Sequence, residues 1–269
     1  MQPLLRTENL VKRYARKKLA GQREELLALD GVSFSICRGT TLAVVGESGS
    51  GKSTLAFCLA CLERPTSGSI WLEDKDIVKL AEKQLRLVRP KIQLIFQDPA
   101  NSLNPRWSVL EILSEPLILR GGTNGNEITQ RAHILLEKVG LSSDMGDRSP
   151  GELSGGQRQR LAIARALALE PELLILDEAL SALDCSVQAQ IANLLMELQN
   201  SLGMAYVFIT HDPAMAAHLA DEIAVMNHGR IVEQGPVEKV LGQPQHESTL
   251  QLLAAMPRLP RTTQPALEQ

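Results

Sequence analysis

The chain has 269 residues, 44% of them hydrophobic, and a formal net charge of -3. Its length suits one large globular unit carrying an inserted or appended lobe, and its charge argues against a general nucleic-acid binder. No uninterrupted apolar run approaches the ~20 residues that cross a bilayer and the start of the chain lacks the apolar block of a signal peptide, so a cytoplasmic protein is expected.

In chain order, the first feature is a basic cluster, Lys12, Arg13, Arg16, Lys17 and Lys18, which reads as a solvated loop. Apolar runs bounded by turn residues predict strands at Val32 to Ile36 and Leu42 to Val45, and a helix follows over Ser53 to Leu62. Cys58 and Cys61 form a C-x-x-C inside that helix, but no second pair accompanies them. They and the remaining cysteines, Cys37 and Cys185, read as small core residues rather than metal ligands or disulfides. A strand at Ile92 to Phe96 comes next. From Asp98 to Pro150 strand and helix stop alternating: helices at Ser108 to Leu119 and Gln130 to Val139 flank a glycine-rich bend at Gly121 to Gly125. Alternation resumes with a helix at Arg158 to Leu169, a strand at Leu173 to Leu176, a helix at Val187 to Leu202, a strand at Tyr206 to Ile209 and a helix at Pro213 to Ala220. Such alternation predicts an α/β fold with a largely parallel, helix-covered sheet. The expected division is a core of residues 1–97 and 166–235, an inserted helical subdomain of 98–165, and a tail of 236–269 with two short helical patterns and a frayed, proline-punctuated end from Pro257 to Gln269.

The chemistry concentrates in a few places. Gly46, Ser48, Gly49, Ser50, Gly51, Lys52, Ser53 and Thr54 lie in G-E-S-G-S-G-K-S-T, a phosphate-binding loop set between a strand and a helix. Its glycines let backbone N–H groups wrap phosphates, Lys52 reaches the outer phosphates and the Ser53 hydroxyl ligates magnesium. The strand at Leu173 to Leu176 runs into Asp177 and Glu178, whose carboxylates an ideal pleat sends in opposite directions. Asp177 is assigned to the metal and Glu178 to a general base. Gln97 and His211 also stand at carboxyl ends of strands, where open parallel sheets bind ligands. Gln97 is assigned to magnesium or the attacking water, and His211 to the terminal phosphate. A second anion site is predicted at Leu153-Ser154-Gly155-Gly156-Gln157, just ahead of a helical run whose exposed N–H groups and dipole favour negative charge.

With these motifs in this order, the sequence resembles the ATP-binding subunits of ATP-binding-cassette (ABC) transporters, from about Leu5 to Met256. The resemblance implies a P-loop NTPase core and ATP with Mg2+ as cofactors. It makes Leu153 to Gln157 the family signature, with Ser154, Gly155, Gly156 and Gln157 closing over ATP held by a second cassette subunit packed head to tail. Ser181 to Asp184 matches the loop through which two subunits sense each other. Tyr14, in a short strand, matches the aromatic that stacks on adenine. The family usually has proline after the catalytic glutamate and this chain has Ala179; because that proline makes no nucleotide contact that chemistry requires, activity is expected to persist.

Phe96-Gln-Asp-Pro-Ala-Asn-Ser-Leu-Asn-Pro105 and the tail from His246 to Pro257 resemble the importer branch that handles oligopeptides, dipeptides and nickel. That branch implies a second ATPase subunit, two membrane-spanning permease subunits, an extracytoplasmic substrate-binding protein and a location on the cytoplasmic face of the inner membrane. Several members of that branch carry a cysteine cluster beyond the tail and this chain has none, so no iron-sulfur cluster is expected. Modest length and Ala179 tilt the reading towards a nickel or metal-chelate importer. The rivals are a non-transport ATPase, such as the accessory subunit of a phosphonate-cleaving complex, and a nucleic-acid-linked cassette protein, which a single cassette without heptads disfavours.

Overall fold

A computed structural model describes residues 2–17, 23–97, 102–121 and 124–254. In chain order the elements are β1 (Leu5–Lys17), β2 (Arg23–Ile36), β3 (Thr41–Val45), α1 (Lys52–Leu59), β4 (Ser67–Leu72), β5 (Lys75–Asp76), α2 (Glu82–Val88) and β6 (Ile92–Ile95). They continue with α3 (Val109–Leu119), α4 (Gly125–Lys138), α5 (Gly155–Leu167), β7 (Leu173–Asp177), α6 (Cys185–Leu202), β8 (Ala205–Thr210), α7 (Pro213–Leu219), β9 (Glu222–Asn227), β10 (Arg230–Pro236), α8 (Val237–Gly242) and α9 (Glu247–Ala254).

The central sheet has the order β10-β9-β3-β8-β7-β6. Its strands β9, β3, β8, β7 and β6 are mutually parallel, and only β10 joins antiparallel, at an edge. Strands β3, β7 and β8 are buried along their whole length, as a parallel sheet covered on both faces requires. Successive side chains go to opposite layers. Ala43, Val45, Leu174 and Leu176 pack into a cluster with the helices α3 to α7. Leu42, Val44, Leu173 and Ile175 pack into one with α1 and the second sheet.

That second sheet, β2-β1-β4-β5, is antiparallel throughout and exceeds what the sequence predicts. The basic cluster is a correction as well: Lys12, Arg13, Arg16 and Lys17 belong to β1, not to a loop. Lys12 is pinned by Glu63 at 3.1 Å and Arg13 by Glu25 at 3.2 Å. Lys18 lies outside the described residues. So do Asp98 to Asn101 of the branch-specific stretch and everything after Ala254.

Local chemistry starts most helices. Ser108 and Glu111 form a capping box on α3, and Asp184 and Asp212 cap α6 and α7. Capping also moves one predicted boundary. Ser154 caps α5 and pairs with Gln157, so Gly155 and Gly156 are the first two residues of the helix rather than a lead-in to it. α5 runs unbroken across residues 165 and 166, where the expected core and subdomain meet. Cys58 is buried and Cys61 half-buried, and burial pushes their thiols up to about 12 and about 11. Both are therefore neutral at physiological pH, consistent with core residues.

Candidate functional site

The phosphate loop joins β3 to α1 through backbone that only glycine tolerates. Gly46 and Gly51 have φ of 157° and 106°. A Cβ on Gly46 would lie 2.1 Å from the Met226 carbonyl oxygen, and one on Gly51 would lie 2.3 Å from that of Ala28. Gly51 is also the cap residue of α1 and has no side chain to occupy the first N–H groups, so they remain for an anion. Ser50, nearly fully buried, accepts from the Gly229 N–H through its carbonyl and braces the loop. Ser48 and Gly49 are exposed at its tip.

Lys52 is 5% exposed and donates to the Gly46 and Glu47 carbonyls at 2.8 and 2.7 Å. Burial pushes its ammonium below the usual lysine range, against the pull of Glu178, Asp177 and Glu47. In the first turn of α1, the Ser53 hydroxyl donates to Asp177 Oδ1 at 3.3 Å. Asp177 is 6% exposed, and its carboxyl is raised above the usual range by burial, while the Ser53 bond lowers it, Glu178 raises it and Lys52 lowers it. A buried carboxylate whose charge is incompletely compensated, set against a serine hydroxyl, is an oxygen donor pair that fits a hard divalent cation such as magnesium.

Glu178 is the focus of the other half. Its Oε2 accepts from Gln97 Nε2 at 3.2 Å and lies 3.5 Å from His211 Nδ1. The structure thus brings Glu178, Gln97 and His211 together at the carboxyl ends of β7, β6 and β8. The separation of the two acids has a different cause from the one expected. Glu178 is outside β7, in the left-handed region at φ 48°. Its N–H donates to the Ile209 carbonyl, and its own carbonyl accepts from the Ser181 N–H and hydroxyl at 3.1 and 2.9 Å. A turn, not a pleat, aims the carboxylate.

The segment predicted as a second anion site stands at the start of α5. The Ser154 hydroxyl accepts from the Gln157 N–H at 3.2 Å, and the Gln157 side chain accepts from the Ser154 N–H at 2.9 Å. Helix geometry then leaves the Gly155 and Gly156 N–H groups without intrahelical acceptors. Among the described residues, no hydrogen bond joins this site to the phosphate loop. Tyr14 is half-buried on β1, with its hydroxyl bonded to Glu63 and Lys12 against its ring. Sequence reasoning missed Glu63, whose approach is long-range. Lys12 had a signal, because residues two apart on a strand share a face.

A groove of about 500 Å³ opens between β6, α3 and α5. Leu62, Phe96 and Leu119 line it with Arg89, Arg165 and Glu115, and Leu119 is 80% exposed. Among the described residues, no helix is long and apolar enough to cross a membrane.

Residues 29–181 match the family described as ABC transporter. The chain is 49% identical over 259 residues to the dipeptide transport ATP-binding protein DppF of Escherichia coli (strain K12), spanning 96% of this chain and 78% of that protein. It is 42% identical over 269 residues to the di/tripeptide transport ATP-binding protein DppF of Pseudomonas aeruginosa (strain UCBPP-PA14), spanning 99% and 83%. In structure it is similar to the ATP-binding cassette MJ0796 in a dimeric post-hydrolysis state bound to ADP and Pi, with a TM-score of 0.77, 32% identity and coverage of 87% of this chain and 98% of that one. It is likewise similar to cbiO1 from Clostridium perfringens, part of the transporter complex cbiONQ, with a TM-score of 0.77, 32% identity and coverage of 90% and 92%.

Proposed function

Because the chain belongs to the ABC transporter family as an ATP-binding subunit, we propose that it hydrolyses ATP to drive a membrane importer of short peptides. The observation that carries the enzymatic half is the meeting of Gln97 and His211 on the Glu178 carboxylate, beside Asp177, Ser53 and Lys52. In this reading Glu178 takes a proton from water as the water oxygen attacks the terminal phosphorus and the bond to the bridging oxygen of ADP breaks. Gln97 orients that water and His211 faces the departing phosphate. The loop from Gly46 to Thr54 cradles the phosphates, with Lys52 on the outer ones and Tyr14 under adenine. Ser53 and Asp177, with Gln97 nearby, hold magnesium, which supplies positive charge to the phosphate oxygens when bound.

Half of each active site then belongs to a second cassette. Ser154, Gly155, Gly156 and Gln157 close over the partner's ATP, so closure depends on the terminal phosphate and hydrolysis releases it. Residues 98–165 act as a helical subdomain that moves against the core of 1–97 and 166–235, with 236–269 as a tail. The groove beside Phe96 and Leu119 receives a permease, which places the subunit on the cytoplasmic face of the membrane. Support for peptides comes from relatives named for dipeptide, di/tripeptide and glutathione transport. None of these relatives is named for nickel, towards which length and Ala179 tilt.

The test is a mild-detergent pull-down of the tagged chain from its native membrane, with mass spectrometry of its companions. Two multi-span proteins and a second cassette ATPase support the importer. Soluble enzymes alone move the reading to a non-transport ATPase of the phosphonate-cleaving kind.

A further inference from the structure

Tyr14 is held from several sides. Its hydroxyl donates a hydrogen bond to Glu63 Oε2, and Thr54 is close enough to influence that hydroxyl. Lys12, two residues earlier on the same face of β1, sets its ammonium 4.9 Å from the ring centroid. That ammonium is confined: the Lys12 side chain is 15% exposed and bonds Glu63 at 3.1 Å and the Arg64 carbonyl at 2.8 Å. One face of the ring is therefore filled by a fixed cation, and the ring as a whole is only half-buried.

The anchors flank the helix that starts at the phosphate loop. Thr54 is in its first turn. Glu63 follows the turn that closes its other end, where the Leu62 and Glu63 N–H groups donate to the Phe57 carbonyl at 2.9 and 3.1 Å. The ring is thus referenced to the same rigid element that positions Lys52 and Ser53. Burial and the Glu63 bond push the Tyr14 hydroxyl up to about 12, and the Tyr14 bond leads in holding Glu63 below the usual glutamate range. Donor and acceptor therefore keep their roles at neutral pH.

We propose that Glu63 and Lys12 are positioning residues that lock the Tyr14 ring as a pre-ordered platform for the base of the nucleotide, at a fixed offset from the phosphate loop. The proposal rests on the reading of Tyr14 as the base-stacking residue. A platform ordered before binding spares the ligand the loss of side-chain freedom that a loose tyrosine would impose. Stacking accepts any base, so the lock strengthens nucleotide binding without selecting adenine over guanine.

The experiment is calorimetric binding of ATP, GTP and inorganic tripolyphosphate, each with magnesium, to the full chain. The variants are Glu63→Ala, Tyr14→Phe, Tyr14→Ala and the double variant Glu63→Ala/Tyr14→Ala. Glu63→Ala and Tyr14→Phe should each raise the Kd for ATP and GTP about two- to tenfold and leave tripolyphosphate at its wild-type Kd, because the probe has no base. Glu63→Ala should add nothing once Tyr14 is alanine. The lock is wrong if Tyr14→Ala weakens ATP but Glu63→Ala does not, if Glu63→Ala weakens tripolyphosphate by the same factor, or if its effect persists in the Tyr14→Ala background. Wild-type ATP affinity in Tyr14→Ala overturns the base-stacking reading itself, and the lock with it. Should Glu63→Ala fail to fold, Tyr14→Phe carries the test alone.

Discussion

Glu178 sits in the left-handed region, at φ 48°, where a residue other than glycine costs of the order of 1–3 kcal/mol. The strained turn holds the carboxylate against Gln97 and His211, so it has a function in the proposed chemistry. Glu178→Gln should slow phosphate release by on the order of 10² to 10⁴ while ATP still binds and the closed dimer accumulates, which stopped assays combined with size exclusion would detect. An unchanged rate would remove Glu178 from the mechanism. Lys52→Ala should abolish ATP binding instead. Asp177 supplies a test without turnover. Its carboxyl is raised in the fold by burial, so the native state holds the proton more tightly than the unfolded chain. Its stabilising contribution is complete below the ordinary aspartate range and is lost as pH rises through the folded value. At neutral pH the nucleotide-free protein therefore carries a penalty that Asp177→Asn removes. The variant should melt higher by roughly 2–4 °C and, under the proposed role of Asp177 in holding magnesium, should gain less stability from added magnesium than the wild type, both measurable by calorimetry.

At the scale of elements, the signature and the start of α6 are packed too closely to vary independently. A Cβ on Gly156 would lie 2.6 Å from Val187 Cγ1, and one on Gly155 would lie 3.4 Å from Leu183 Cδ2. Val187 is where the cap of α6 closes, through its N–H bond to Asp184 at 2.9 Å, so the signature helix rests on the loop from Ser181 to Asp184. Gly156 thus has a packing reason to be glycine in addition to its proposed contact with ATP. Gly156→Ala should destabilise the chain by about 1–3 kcal/mol in urea unfolding, and Val187→Ala in the same molecule should recover much of that loss by vacating the space. Equal, additive losses would show that the two helices adjust separately.

Across the whole molecule, one ionic network lies at the opposite end of the parallel strands from the site. Arg38 precedes β3 and reaches Glu73 at 2.6 Å and Glu172 at 2.5 Å; Lys91 precedes β6 and reaches Glu172 at 2.6 Å. It joins the antiparallel sheet, through the β4–β5 turn, to the parallel one. Burial alone would raise the Glu172 carboxyl, but hydrogen bonds from Lys91 and Arg38 outweigh it and hold the group below the usual glutamate range. A lowered folded value means stability that is present above the unfolded value and lost as pH falls through the folded one. Glu172→Gln should cost about 1–2 kcal/mol at pH 7, and the gap between variant and wild type should narrow in urea titrations taken below about pH 4.

The sequence alone determined what depends on neighbours in the chain. Continuous apolar runs at β3, β7 and β8 announce strands buried on both faces, the phosphate loop is legible as a motif, and Asp177, Glu178, Gln97 and His211 can be nominated as a candidate site because ligands gather at carboxyl ends of parallel strands. Even the capping pair Ser154 and Gln157, which begins α5 earlier than its apolar period suggests, can be read three residues apart. Tertiary structure decided the rest. β1 carries Leu5 and Leu10 among charged residues, and register shifts between Thr7 and Leu10 and again between Leu10 and Lys12, with Asn9 at φ 46°, break its period of two. Only pairing with the distant β2 and β4 makes it a strand. The turn that aims Glu178 depends on the Ile209 carbonyl, and the contact of Glu63 with Tyr14 spans 49 residues. Local pattern reports which face of an element is apolar; it carries no information about which remote group arrives to meet it, because that is settled by the packing of the whole chain.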